Sequence, residues 1–216
     1  MLLAAIVLIP SLLLAAAPPA TKPADPNQVV LKIARSYKDG GGYYWKGNST
    51  GTPEEIKFKG ERILRKGTNG TYCCGFTVAV VIRAATQLHL LDDKTPAQVK
   101  LLQKHFYGIG DKEVEEWQCI YGLEHLGIGH RVSADEAKAG DFCQLYRDKG
   151  GHSVVFLGWE MKDGKRIGLK YRSSQESTKG IGDKSEFFAD TGIKDAKVLR
   201  ERVYFGRLNA AATPAK

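Results

Sequence analysis

The feature that most constrains the fold is a long apolar run near the middle of the chain. From Cys74 to Ala85 the sequence reads CGFTVAVVIRAA, and apolar residues fall on every side of a helix drawn through it. A helix that is hydrophobic all round is a buried one. The Val and Ile content also suits a buried strand, but the run continues to Leu91, and this length favours a helix. The chain is therefore predicted to fold around a buried helix that begins at its two adjacent cysteines.

The C-terminal half has the pattern of a β-hairpin. Residues 153–159 and 167–172 are rich in strand-forming side chains, and Asp163-Gly164 lies between them. Asp-Gly between two such runs is among the strongest short-range hairpin signals. Shorter helices are predicted upstream, and a last strand near the C-terminus; the ranges are 26–36, 95–108 and 111–127 for the helices and 198–205 for the strand. Helices that precede strands in this way indicate an α+β fold.

The N-terminal segment indicates export. Residues 1–20 are mostly apolar and end in small residues and prolines, as a secretory signal peptide does. They depart from that pattern at their start, where a signal peptide carries Lys or Arg and this segment has neither. The alternative is an uncleaved membrane anchor, but the apolar run is shorter than the ~20 residues of a membrane span. Residues 21–28 are predicted to be a linker, 29–209 the functional domain and 210–216 a disordered tail. We therefore expect a periplasmic or extracellular protein.

The net charge of the chain limits the classes of partner that we expect it to bind. The formal net charge is +8, and Lys and Arg are spread along the sequence without one dense run. A solvated basic surface is the simplest interpretation, and attraction to an anionic wall polymer is the functional one. Nucleic acid is not expected, since the chain is predicted to be exported and carries no matching motif. Membrane contact is expected only through an uncleaved signal segment.

A cysteine and a histidine form a candidate catalytic pair. Cys73 lies where a polar loop meets the buried helix, and the positive end of a helix favours the thiolate form. A nucleophile of this kind needs a base. His152 follows two glycines and opens the strand at 153–159, which is a suitable position for facing a cleft.

The hairpin pattern also predicts an orienting partner for this histidine. If Asp163-Gly164 are the central residues of the turn, counting outwards from it places Gln175 opposite His152. Directly opposed side chains lie on the same face, about 5 Å apart. Gln175 is therefore predicted to hydrogen-bond the imidazole and to fix its tautomer.

Four segments resemble the NlpC/P60 cysteine peptidases, which belong to the papain-like superfamily and are related to the CHAP amidases. The segment YCCGF at 72–76 is similar to the family signature Asp-Cys-Ser-Gly-hydrophobic, and GYYWKG at 42–47 is similar to Pro-Tyr-x-Trp-Gly-Gly. AGDF at 139–142 and GHSVVFLG at 151–158 resemble the paired strands that carry the family histidine. The four segments occur in the family order.

The resemblance implies a papain-like α+β fold in which a helix with Cys at its N-terminus packs on an antiparallel sheet. It implies a hydrolase that cleaves peptide or amide bonds in cell-wall peptides through a thioester. It assigns the nucleophile to Cys73, with Cys74 as the alternative, and places Tyr43 and Trp45 in the substrate cleft. No metal and no organic cofactor is implied.

The chain also departs from the family pattern. Tyr72 replaces the signature Asp, Lys46 stands in place of a Gly, and about twenty extra residues precede Cys73. These departures keep open a catalytically inactive domain that binds wall peptides or a partner protein, and an acyltransferase would use the same residues. Cys119 and Cys143 are either a disulfide or two buried thiols.

Overall fold

The computed structural model describes residues 24–108 and 112–211. The predicted signal peptide, residues 1–20, lies outside them, as do residues 212–216 of the predicted tail. The α-helices are α1 (Pro26–Ser36), α2 (Cys73–Gln87), α3 (Pro96–Phe106) and α4 (Gln118–His125). The strands are β1 (Gly40–Gly41), β2 (Ile56–Phe58), β3 (Glu61–Leu64), β4 (Gly129–Val132), β5 (Phe142–Arg147), β6 (Gly151–Lys162), β7 (Lys165–Gln175), β8 (Gly180–Phe187) and β9 (Val198–Leu208). Within the described residues, no helix is long and apolar enough to cross a membrane.

Helices α1 and α3 begin where side-chain caps satisfy their first amide groups. The Asp25 carboxylate accepts a hydrogen bond from the Asn27 amide at 3.0 Å, and Pro26 occupies the first turn. Residues 26–28, which the sequence placed in a linker, therefore belong to α1. Thr95 and Gln98 form a capping box at the start of α3, which lies within the predicted helix range 95–108.

The region predicted as one helix over 111–127 is divided in the structure. A 3₁₀-helix spans Lys112–Trp117, and α4 follows it. Trp117 has a φ of −126°, which is outside the helical range and separates the two pieces. The prediction of a single long helix was wrong, although both pieces are helical.

Seven strands form one sheet in the order β1-β8-β7-β6-β5-β9-β4, and β2 and β3 form a separate hairpin. The pairings between strands of the large sheet are antiparallel. The predicted α+β class and its antiparallel sheet are therefore confirmed. The long strands β6 and β7 form its centre, joined at Asp163-Gly164 as predicted.

The β6–β7 ladder contains two bulges, which counting from the turn did not foresee. Next to the turn, Lys162 lies opposite Lys165 in the predicted register. Ile167 is then an extra residue in β7, and Leu157 is an extra residue in β6. A bulge shifts the register by one position and bends its strand. Because one extra residue lies in each strand, the two shifts cancel.

The predicted register therefore returns at the end of the hairpin that faces the N-terminus of α2. Val155 lies opposite Arg172, as counting from the turn requires. Three positions further out, His152 and Gln175 are in hydrogen-bond contact, with Nε2 and Oε1 3.3 Å apart. The pairing of these two residues is confirmed.

The two faces of the sheet carry separate hydrophobic cores. Helix α2 packs in the larger core, where Phe76, Val78 and Val81 are fully buried. A smaller core on β5, β6, β7 and β9 includes Phe156 and Phe205. The predicted burial of the central helix is confirmed, and this burial fixes the position of its first residue, Cys73.

A polar contact ties the start of β5 to α1 and β9. Asp141 is fully buried and accepts hydrogen bonds from Asn27 Nδ2 at 2.8 Å and from Arg207 Nε at 2.8 Å. A side chain at Gly140 would overlap the backbone of Asn27, so only glycine allows this close approach. The Gly-Asp pair thus holds the β5 end of the sheet in place.

Candidate active site

A cleft of about 450 Å³ opens between the N-terminus of α2 and the start of β6. Its walls contain the six residues singled out from the sequence: Tyr43, Trp45, Cys73, Cys74, His152 and Gln175. Residues that are separated by more than one hundred positions in the chain are thus brought to one opening. The cleft is the candidate functional site.

Cys73 is the first residue of α2 and is half-buried. The first hydrogen bond of the helix is donated by the Phe76 amide to the Tyr72 carbonyl oxygen, at 3.0 Å. The amides of residues 73–75 come before this bond, so they have no carbonyl partner within the helix. Together with the positive end of the helix dipole, they favour negative charge at the Cys73 position.

The surroundings of Cys73 favour its thiolate. Hydrogen bonding from Cys74, with the two Sγ atoms 3.7 Å apart, and the attraction and hydrogen bond of His152 hold the pKa of the Cys73 thiol well below its usual range. Burial opposes this shift but does not outweigh it. Cys73 is therefore the thiol of this pair that ionises first.

Cys74 has the opposite character. Its neighbour Cys73 and burial raise the pKa of the Cys74 thiol well above its usual range. Its Sγ lies 3.8 Å from Ser153 Oγ, and the Ser153 hydroxyl donates to Gln144 Oε1 at 2.7 Å. Cys74 thus stays protonated, with its sulfur between the Cys73 sulfur and an ordered hydroxyl.

Gln175 holds the ring of His152 in one orientation. Its amide nitrogen donates to Thr178 Oγ1 at 2.7 Å and to the Gly182 carbonyl oxygen at 3.4 Å, so its Oε1 is the atom that faces the imidazole. An amide oxygen only accepts, which requires the proton on His152 Nε2. The tautomer with an unprotonated Nδ1 is then favoured, and this nitrogen can act as a base. Both residues are buried.

Tyr43 and Trp45 form the wall opposite the sheet. A parallel bridge joins Tyr43 to Thr71, and the Thr71 amide donates to the Gly42 carbonyl oxygen at 2.9 Å. The segment around Tyr43 is thus fixed beside the loop that leads into Cys73. Burial is the main cause that raises the pKa of Tyr43, and the negative charge of the nearby Cys73 thiolate raises it further. Trp45 is 71% exposed at the rim, so its indole is free to contact a ligand.

Tyr72 packs against the segment at residues 49–51. Its amide donates to the Gly51 carbonyl oxygen at 3.2 Å and its hydroxyl to the Ser49 carbonyl oxygen at 3.0 Å. A side chain at Gly51 would overlap the Tyr72 ring, and one at Gly75 would overlap the Gly51 carbonyl group. Tyr72 therefore anchors the segment that precedes Cys73 and does not close the cleft.

Sequence reasoning missed three polar residues of this site. Gln144 and Ser153 meet because β5 pairs with β6, where they are direct partners. Thr178 reaches Gln175 from the short 3₁₀-helix that follows β7. If the turn at 148–150 had been recognised in the sequence, counting outwards from it would have placed Gln144 opposite Ser153. No local pattern marks Thr178.

Cys119 and Cys143 are free thiols, and both are buried. Burial raises the pKa of each of them. Of the two alternatives drawn from the sequence, the structure has the pair of buried thiols. Over 24–108 and 112–211, no three His, Cys, Asp or Glu side chains are grouped in a way that would hold a metal ion.

Comparisons with models of protein families, with curated proteins and with solved structures gave no match. The geometry of the cleft is therefore the basis for assigning a function.

Proposed function

We propose that the protein is an exported cysteine hydrolase that cleaves peptide or amide bonds in cell-wall peptides, with a papain-like fold of the NlpC/P60 type. The observation that carries this proposal is the array in the cleft: a thiol with a lowered pKa at a helix N-terminus, a histidine beside it, and a glutamine that orients the histidine. Nucleophile, base and orienting group are the three parts of a catalytic triad.

The proposed reaction begins with the Cys73 thiolate and a protonated His152. The sulfur attacks the carbonyl carbon, and the carbonyl oxygen takes the electron pair of the broken π bond. When the tetrahedral intermediate collapses, the C–N bond breaks, the amine leaves with the proton of His152, and a thioester remains on Cys73. His152 then removes a proton from water, and the hydroxide attacks the thioester to release the acid and the thiolate. Only water is consumed.

The N-terminus of α2 is suited to hold the developing oxyanion. The amides of residues 73–75 have no carbonyl partner within the helix and point towards its open end. Preorganised donors of this kind are worth about 3 kcal/mol each when they stabilise a tetrahedral intermediate. Gly75 keeps the helix close to residue 51, where any side chain would force the two apart.

Two of the departures from the NlpC/P60 signature, Tyr72 and the inserted segment, have a packing role that is compatible with the proposed catalysis. Tyr72, which stands where the family has Asp, binds the inserted segment through its hydroxyl, its amide and its ring. The insertion and the substitution thus form one packing unit. Tyr72 is not among the residues that line the cleft around Cys73 and His152.

The direct test is incubation of the purified protein with peptidoglycan and with a γ-glutamyl-diaminopimelate peptide, followed by chromatography of the products. The matched controls are Cys73→Ala, which removes the nucleophile, and Cys119→Ala, which removes a buried thiol of the core. We expect products from the wild type and from Cys119→Ala, and none from Cys73→Ala. Identical products from all three preparations, or none from the wild type, would contradict the hydrolase.

A labelled amine added to the same reaction tests the acyltransferase alternative. Transfer of the acyl group to the amine in preference to water would assign the chain to that class. Binding of the peptide by the wild type without turnover would instead favour the inactive, peptide-binding domain.

A further inference from the structure

The active-site cleft continues into two further hollows on the same side of the molecule. A hollow of about 270 Å³ shares Trp45 with the cleft. A third, of about 380 Å³, shares Lys46, Gly47 and Ser49 with the second. The three hollows, which together we call the groove, therefore adjoin one another in sequence, from the candidate nucleophile past Trp45 to the third hollow, which we name the basic hollow.

The basic hollow is positively charged. Lys46, Arg65 and Lys66 line it, and its other lining residues are uncharged, so no acidic side chain faces these cations from the described walls. Neither an ion pair nor a side-chain hydrogen bond is found for the three among residues 24–108 and 112–211. The charge of the hollow is therefore available to a ligand.

Neighbouring cations of the same segment behave differently. Arg62 and Lys57 pair with Glu55, and Lys100 pairs with Glu61. Acidic partners are thus available around the β2–β3 hairpin, but none is directed at the basic hollow. Lys57 and Arg62 on the hairpin therefore have an acidic partner, whereas the three cations of the basic hollow have none among the described residues.

Hydrogen bonds between the two segments fix the walls of the basic hollow. The Thr50 hydroxyl donates to the Arg65 carbonyl oxygen at 2.7 Å, and the Gly67 amide donates to the Thr52 carbonyl oxygen at 2.9 Å. The cations of residues 65–66 are thereby held opposite Lys46. The fixed backbone lowers the entropy that the walls lose when a ligand binds.

We propose that Lys46, Arg65 and Lys66 form an anion subsite that takes a carboxylate or phosphate carried by the substrate beyond the scissile bond, with Trp45 as the contact between this subsite and the cleft. The proposal rests on the proposed function, since it treats the groove as one substrate path. It gives the inserted segment a role in substrate selection. It also assigns the expected attraction to an anionic polymer to a particular surface of the protein, which the net charge alone could not do.

Binding is measured by titration with an oligogalacturonate, which carries carboxylates, and with a linear polyphosphate, at about 50 mM salt. The test variant is Lys46→Gln/Arg65→Gln/Lys66→Gln. The control, Lys162→Gln/Lys165→Gln/Lys194→Gln, makes the same change in net charge. Its first two positions lie at the β6–β7 turn, at the opposite end of the hairpin from His152.

We expect about a tenfold loss of affinity in the test variant, because three exposed ion contacts, each weak by itself, are removed together. The control variant is expected to stay within about twofold of the wild type, since screening confines such contacts to short range. Loss with only one of the two ligands identifies the anion as carboxylate or phosphate. Equal losses in both variants, or none in either, would overturn the subsite.

The outcome for the subsite is separable from that for the enzyme. If the wild type releases no product from any wall peptide, but only the test variant loses polyanion affinity, the subsite stands and the hydrolase fails. If Cys73-dependent hydrolysis is found and both charge variants bind alike, the hydrolase stands and the subsite is wrong.

Discussion

Two regions of this molecule each hold a pair of cysteines, and the pairs differ in almost every physical property. Cys73 and Cys74 are half-buried at the start of α2, beside the cleft. Cys119 and Cys143 are buried in the protein interior, where burial raises the pKa of both thiols. In the first pair the two shifts are opposite, since Cys74 and His152 lower the pKa of Cys73 while the pKa of Cys74 is raised.

The contrast shows that burial alone keeps a thiol neutral. Reactivity at neutral pH requires groups that stabilise the charged form strongly enough to outweigh burial. Cys74 and His152 do so for Cys73, whereas the backbone hydrogen bonds at Cys119 do not. The four residues are chemically identical, so their differences are caused by their surroundings. Each variant below removes one part of those surroundings or one of the thiols.

The largest difference is expected between Cys73 and the buried pair. Cys73→Ala should lower the hydrolysis rate by at least about 10³-fold, because no other group supplies the nucleophile. Cys119→Ala should retain the wild-type rate. Initial rates on the peptide substrate measure both. Comparable rates for the two variants would place the nucleophile elsewhere.

The next effect concerns the orientation of His152. Gln175→Ala should lower kcat by about tenfold to a hundredfold, because the imidazole loses the side-chain acceptor at its Nε2. Gln175→Glu keeps an acceptor and should restore most of the rate, and its negative charge should move the histidine limb of the pH–rate profile to higher pH. A merely structural Gln175 would leave that limb unchanged in every folded variant.

The contribution of Cys74 is expected to be smaller. Cys74→Ala removes the hydrogen bond to the Cys73 sulfur, so the pKa of Cys73 should rise and alkylation by iodoacetamide at pH 6 should slow severalfold. Cys74→Ser keeps a donor and should react nearly as the wild type does. The pH profile of alkylation, with mass spectrometry to locate the label, distinguishes these variants. Labelling of Cys74 before Cys73 in the wild type would reverse the assignment.

The smallest effect belongs to the buried pair. Cys119→Ala should lower the free energy of unfolding by about 1 kcal/mol through the cavity it leaves, as measured by urea denaturation at pH 7. The pKa of Cys119 is higher in the folded than in the unfolded protein. The contribution of this thiol to the free energy of unfolding is therefore complete below the unfolded thiol pKa of about 8.5, and it is lost as the pH rises from there towards the folded pKa. Stability should therefore fall between pH 8 and 10, and fall less in Cys119→Ala.

Cys73 should respond to pH in the opposite direction. The pKa of Cys73 is lower in the folded than in the unfolded protein. The contribution of this thiolate to the free energy of unfolding is therefore complete above the unfolded pKa, and it is lost as the pH falls through the folded pKa. Cys73→Ala should lose less stability than the wild type when the pH is lowered from 9 to 6. If Cys73→Ala and Cys119→Ala gave the same pH dependence, the two regions would not differ in the way the structure indicates.

Much of the candidate site was predictable because its parts obey local rules. The burial of α2 follows from an apolar run, and the position of Cys73 follows from where that run begins. His152 and Gln175 meet because both belong to one hairpin with a recognisable turn. These inferences need only neighbouring residues or a single strand pairing.

The parts that escaped prediction depend on long-range packing. The contact of Ser153 with Cys74 joins β6 to α2, and no periodicity encodes the distance between a helix and a sheet. The role of Tyr72 depends on a segment that reaches it from residues 49–51. The basic hollow requires two loop segments to meet, and no local pattern indicates that the Thr50 hydroxyl bonds the Arg65 carbonyl oxygen or that the Gly67 amide bonds that of Thr52.

The two bulges of the central hairpin have a consequence for reading the sequences of other chains with this layout. Because β6 and β7 each hold one extra residue, both arms have the same length from the turn to the cleft. A chain that had lost one bulge would present the residue before or after the position of Gln175 to its histidine, on the opposite face of the strand. Insertions in this hairpin therefore preserve the contact between His152 and Gln175 only when they come in matched numbers, one arm compensating the other.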